Sequence, residues 1–202
     1  NYIDNFKTES FDLIAGVTID EYKLWSAFHP LYKNLSKENL IKRLSKIFKH
    51  SVGDIIELYS DYIDDNKYGN LLSSIMTDLT FGSPVEELLK KNKTSYGYIF
   101  TPQSPLLNGE LGAFHASELP YLFGVQNNSV YKKWSPDYRD QTAKIMQDSW
   151  INFAKNGDPS TNHFKWEQFS NSSNYALISD SITNINSPFQ ERYQLLDHAK
   201  NF

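Results

Sequence analysis

The stretch Phe11-Asp12-Leu13-Ile14-Ala15-Gly16-Val17-Thr18 runs directly into Ile19-Asp20-Glu21. Short, mostly apolar runs of this kind are typical of strands covered on both faces of a parallel sheet. In open α/β sheets the working residues cluster at the carboxyl ends of strands, which is where Asp20 and Glu21 fall. A carboxylate there can accept the Nδ1 proton of a histidine and hold its tautomer. Read alone, the pair also fits a solvated acidic turn.

Downstream of this strand the pattern becomes helical. Ser36 is a good N-cap for a helix to Lys49, with Leu40, Ile41, Leu44, Ile47 and Phe48 as its apolar face. A second helix is expected from Ser51 to Ile63, with Ile55, Ile56, Leu58, Tyr59 and Tyr62 turned inward. Asp64 to Lys67 reads as a turn, and Leu71 to Lys91 as a third helix kinked or restarted at Pro84. Tyr96-Gly-Tyr-Ile-Phe100 is a second strand. Thr101 to Phe114, with its prolines and glycines, is a loop. Asp137 to Lys155 is a long amphipathic helix, stopped by Asn156-Gly157 and Pro159. Residues 175–178 and 181–185 suit a hairpin or two edge strands, and Pro188 opens a last short helix through Leu196. This order suits the later half of an α/β sheet and makes a poor complete domain, because helices greatly outnumber the strands they could cover.

Composition narrows the function classes. The chain has 202 residues, 40% hydrophobic and 22% charged, the balance of a soluble globular protein. A net charge of −4 gives no electrostatic reason to expect nucleic acid. No apolar run approaches the length of a membrane span, so no membrane partner is expected. Zero cysteines exclude disulfides, thiol nucleophiles and thiolate metal sites, and fit a reducing, cytoplasmic setting. Thirteen Tyr and 13 Phe suit large packed surfaces or an apolar pocket. The chain opens at Asn1 with a polar stretch to Ser10 and no secretion signal. It reads as beginning in the middle of something, or as a chain trimmed for expression.

A second chemical candidate is Gly112-Ala-Phe-His115-Ala-Ser-Glu-Leu-Pro-Tyr-Leu-Phe-Gly124. Small residues flank the imidazole, and Phe114, Tyr121 and Phe123 are candidates to wall an apolar pocket. An imidazole is suited to move a proton at neutral pH. The alternative is a histidine packed in a loop. His29, His50, His163 and His198 lack such a setting. Metal binding is not expected. His115-Ala-Ser-Glu118 resembles an inverted zinc motif, but Leu119 stands where the second histidine belongs. Ser129-Val-Tyr-Lys132 fits a Ser-x-x-Lys pattern without its companion motifs. The sequons at Asn34, Asn92, Asn127 and Asn171 are assigned no glycans. Neither Gly-x-Ser-x-Gly nor a glycine-rich phosphate loop occurs.

At these two segments the chain resembles the carboxylesterase type-B family, built on the α/β-hydrolase fold. Gly16-Val-Thr-Ile-Asp-Glu21 matches its acid motif, and His115-Ala-Ser-Glu-Leu-Pro-Tyr-Leu-Phe-Gly124 its histidine motif. Leu58-Tyr59, Thr77-Asp-Leu-Thr-Phe81 with Pro84, and Trp150 to Pro159 followed by Trp166 add further matches in the family's order. The resemblance is strongest to the bacterial para-nitrobenzyl esterase branch. It implies an α/β chain in which residues 1–202 are the C-terminal portion of a single hydrolase domain, helix-rich with a few strands of the central sheet. It also implies Glu21 as the acid and His115 as the general base, in the acid-before-histidine order of α/β-hydrolases. Glu118 matches a family glutamate near the histidine and takes an orienting role behind it. One departure stands out, since the family usually has glycine where this chain has Tyr22. An unusual backbone angle there would shift the turn that carries Glu21.

The nucleophilic serine and oxyanion hole of the family lie upstream of these motifs. The implied activity is carboxylic ester hydrolysis with no cofactor, and the isolated chain is expected to be inactive. Its expected partners are an N-terminal portion of the same esterase, a small ester substrate and, through an open sheet edge, a second copy of itself. Two alternatives are a non-catalytic esterase-like binding or scaffold protein and an inactive remnant of an interrupted gene.

Overall fold

The computed structural model of the protein describes residues 11–65, 67–125, 128–134, 140–169 and 173–200. The opening stretch to Ser10, the expected helix start at Asp137, and the sequon asparagines 127 and 171 lie outside the described residues.

The first apolar run forms strand β1 (Leu13–Thr18), and the second forms β2 (Ser95–Phe100). They pair in parallel, with Gly16 opposite Tyr98. The glycine is needed at this point, because a Cβ on Gly16 would come within 2.3 Å of the Tyr98 ring and carbonyl oxygen. Strand β3 (Asn174–Ile178) pairs in parallel with β2, then turns back into β4 (Ile182–Asn186), which runs antiparallel. The order is β1-β2-β3-β4. The expected terminal hairpin is therefore present. β1 is less enclosed than its composition suggests. It is the end strand of this order, and of its residues only Val17 and Thr18 are buried.

Helices fill the crossover from β1 to β2. They are α1 (Lys23–Ser26), α2 (Pro30–Lys33), α3 (Lys37–Ile47), α4 (Val52–Leu58), α5 (Gly69–Thr77) and α6 (Ser83–Lys91). Between β2 and β3 come α7 (Leu119–Phe123) and α8 (Asp140–Asn156), and α9 (Gln190–Lys200) closes the chain. Ser36 caps α3 as expected, its hydroxyl accepting from the Asn39 amide. Leu40, Leu44 and Phe48 are buried, but Ile41 is exposed. One residue is a 100° step around a helix, enough to carry Ile41 off the buried stripe. Two features go beyond the sequence reading. The short helices α1 and α2 are too brief to leave a periodic signal. Of the two expectations for the third helix, a kink or a restart at Pro84, the restart is the one that forms. A π turn, Asp78–Gly82, separates α5 from α6, and Pro84 sits in the first turn of α6.

Three packed regions result. α3, α4, α5 and α9 enclose Leu40, Leu44, Ile55, Tyr59, Leu71 and Ile75 away from the sheet. One sheet face presents Tyr96, Phe100, Ala176 and Ile178 to Tyr121, Met146 and Trp166. The opposite face packs Ile99 and Tyr175 against Leu89 and Tyr193. The alternation of Phe100 and Ile99 between faces is the two-residue period of a strand covered on both sides.

Candidate active site

Thr18 ends β1, and the chain bends at once so that the Glu21 carboxylate folds back on it. Glu21 Oε1 accepts the Thr18 amide at 2.8 Å. Asp20 belongs to the same bend. Its amide donates to Ala113 O at 3.0 Å, and its Oδ2 accepts the Ala113 amide at 3.0 Å. Tyr22 has φ −72° and ψ −12°, an ordinary helical conformation that any residue adopts. Tyrosine in place of the family glycine therefore leaves the bend intact. The Tyr22 amide donates to Thr77 Oγ1 at 3.0 Å, tying the bend to the end of α5.

The loop after β2 brings His115 to this bend. Its Nδ1 lies 2.6 Å from Glu21 Oε2. With a carboxylate as acceptor, Nδ1 carries the proton, and Nε2 keeps a free lone pair in the neutral ring. Glu21 is buried, while the His115 side chain is 42% exposed. The acid is thus held in the protein and the imidazole reaches outward. Ala116 follows with φ +69°, a left-handed conformation that costs a non-glycine residue about 1–2 kcal/mol. The chain then enters α7 at Leu119.

Two aromatic rings flank His115. Trp25, from α1, has its centroid 5.3 Å away, and Phe81, from the π turn, 5.1 Å. The two rings stack on each other at 5.9 Å with 14° between planes. α1 is held by a hydrogen bond between the hydroxyls of Ser26 and Ser73 at 2.9 Å. Glu118 sits behind the pair. Its Oε2 is buried with no hydrogen-bond partner among the described residues. Burial pushes its carboxyl up to about 7, and the Glu21 charge adds to the rise while His115 opposes it. The Tyr98 hydroxyl is also pushed up, first by burial and then by the charges of Glu118 and Glu21.

The rings expected to wall a pocket are placed differently. Phe114 is buried against Trp134, with centroids 5.1 Å apart. Tyr121 is buried against Phe100 at 5.2 Å. Phe123 is 67% exposed at the end of α7. α7 is a single short turn, so its residues divide between the core and solvent. Trp25 and Phe81 take the place beside the imidazole. The sequence held a signal for Phe81, within the Thr77 to Phe81 match, but none for its contact with His115. A cleft of about 670 Å³ beside α1 is lined by Lys23, Ser26, Tyr32, Lys67 and Glu110, none of the expected rings. Among the described residues, no group of three or more His, Asp or Glu side chains is arranged to hold a metal ion. No helix among them is long and apolar enough to cross a membrane.

The carboxylesterase family pattern matches residues 2–196. The chain belongs to the carboxylesterase family. It is 30% identical over 197 residues to para-nitrobenzyl esterase of Bacillus subtilis (strain 168), covering 93% of this chain and 38% of that protein. Phenmedipham hydrolase of Pseudarthrobacter oxydans is 24% identical over 164 residues, covering 78% of this chain and 33% of that protein. A solved PNB esterase structure superposes with a TM-score of 0.71 at 25% identity, covering 96% of this chain and 40% of the other. A Geobacillus stearothermophilus carboxylesterase gives 0.75 at 24% identity, covering 91% and 39%, and bears on the fold alone. The fold is thus the C-terminal part of an α/β-hydrolase. This carboxylesterase chain spans less than half the length of each of these relatives.

Proposed function

We propose that this carboxylesterase chain supplies the acid and general base of a serine-type carboxylic ester hydrolase, Glu21 and His115. The observation that carries the reading is the 2.6 Å contact from His115 Nδ1 to the doubly engaged carboxylate of Glu21. The nucleophile would come from an N-terminal portion of the same esterase, since the family's Gly-x-Ser-x-Gly does not occur in this sequence.

In that assembly His115 Nε2 takes the serine hydroxyl proton as the oxygen attacks the ester carbonyl. The Glu21 carboxylate stabilises the imidazolium that forms. His115 then gives the proton to the leaving alkoxide, so the alcohol departs and an acyl-enzyme remains. Water repeats the cycle and releases the acid. Trp25 and Phe81 support a role in excluding water from one side of the imidazole and in contacting an apolar ester group. Glu118 acts behind the pair, a polar group whose protonation responds to the charge on Glu21 and His115.

The test is hydrolysis of a para-nitrophenyl ester by this chain, by the N-terminal portion of a family esterase, and by the mixture. Activity is expected only in the mixture. His115→Ala is expected to abolish it, and Glu21→Gln to lower kcat by about 10³–10⁴-fold. Robust turnover by the isolated chain would refute the reading.

A further inference from the structure

Glu21 and His115 sit on separate loops, and few contacts fix the imidazole itself. Among the described residues it makes one hydrogen bond and leans on two rings, with its side chain 42% exposed. Its distance from Glu21 therefore depends on where the backbone of its loop is held. That backbone meets the acid-bearing bend at Asp20. The Asp20 amide donates to Ala113 O, and Asp20 Oδ2 accepts the Ala113 amide, both at 3.0 Å. One residue thus grips both polar groups of Ala113, two positions before His115, while being bonded directly to Glu21.

The carboxylate is also held from its other side. Asp20 Oδ1 lies 3.0 Å from Lys23 Nζ, and the Asp20 side chain is only 13% exposed. Gly112 completes the arrangement. It has φ +58°, and a Cβ there would fall 2.2 Å from Asp20 Oδ2. Only glycine gives both the left-handed turn and the space for the carboxylate. Neither Asp20 oxygen is bonded to the imidazole, so Asp20 moves no proton.

We infer that Asp20 is a positioning residue, clamping the histidine loop onto the acid bend and so setting the Glu21–His115 hydrogen bond. The inference rests on reading that pair as the working acid and base. A charge-assisted hydrogen bond in a mostly buried site is worth more than a neutral one, and it acts here as the latch between two loops. Small displacements of a catalytic group cost far more in rate than in stability, about 10²-fold for roughly 1 Å.

The test uses the 202-residue chain itself. Proton NMR reads the downfield His115 Nδ1–H resonance, assigned by its loss in His115→Ala, and hydrogen exchange reads the Ala113 amide. In the unmutated chain the resonance is expected to be sharp and the amide protected. Asp20→Ala should broaden the resonance into solvent exchange and speed Ala113 exchange about tenfold, the equivalent of one lost hydrogen bond. Asp20→Asn keeps an acceptor oxygen without the charge and should restore both in part. Gly112→Ala attacks the clamp from the opposite side and should reproduce the Asp20→Ala spectrum, which covers the case in which Asp20→Ala fails to fold. A sharp resonance and a protected Ala113 amide in the folded Asp20→Ala or Gly112→Ala chain would overturn the inference and leave the acid–base reading standing. A missing His115 resonance in the unmutated chain would overturn both.

Discussion

Glu118 is the residue whose chemistry is most altered by its place in the fold. Its carboxyl titrates near 7 when folded, against the usual 4.5, because burial and the Glu21 charge oppose ionisation. Between those two values the unfolded chain has released a proton that the folded chain still holds. Folding is therefore favoured at the acid end of the window, and stability from this group falls as pH rises through it. Glu118→Gln cannot ionise. It is expected to gain on the unmutated chain by about 1–3 kcal/mol between pH 5 and pH 8, read from urea midpoints at both values. A midpoint difference that does not change with pH would contradict the assigned burial.

Among the elements, the π turn does the most to shape the site. It carries Phe81 to the imidazole and follows Thr77, whose hydroxyl holds the Tyr22 amide. The turn is anchored by α9. Arg192 Nε donates to Asp78 Oδ2 at 2.8 Å, and Nη1 donates to the Tyr62 hydroxyl at 3.0 Å. The Tyr59 hydroxyl donates to the same Asp78 oxygen at 2.5 Å. The guanidinium lies over the rings of Tyr59 and Phe189, 4.8 and 4.7 Å from their centroids. Removing the cation leaves Asp78, almost fully buried, without its charge partner. Arg192→Leu is expected to cost about 3–5 kcal/mol at neutral pH. Adding Asp78→Asn should recover part of that loss, because the stranded charge is gone. Urea unfolding of the single and double variants at pH 7 checks both.

At the scale of the whole molecule, the sheet ends on β1, whose first four residues are only half-buried among the described residues. Trp25, Phe28 and Phe123 are exposed large rings. Edge strands and exposed apolar rings favour association. The isolated chain is expected to show a mass that rises with concentration in light scattering, and to bind an N-terminal portion of a family esterase in preference to itself. A single monomer mass at every concentration, with no binding to that portion, would refute the expectation.

The sequence alone determined the elements whose signals are local. The Leu13 to Thr18 run, the Ser36 cap with Leu40 and Leu44, and the stop at Asn156-Gly157 each read correctly, because periodicity, capping and turn chemistry act over a few residues. It also supplied Glu21 and His115 as candidates through motif and chain order. Only the tertiary structure decided that the two side chains meet, since 94 residues separate them. It alone set Trp25 and Phe81 against the imidazole, and revealed the reciprocal bonds of Asp20 with Ala113. Those contacts are set by how two crossovers fold back on one sheet end, and no local pattern of residues encodes that distance.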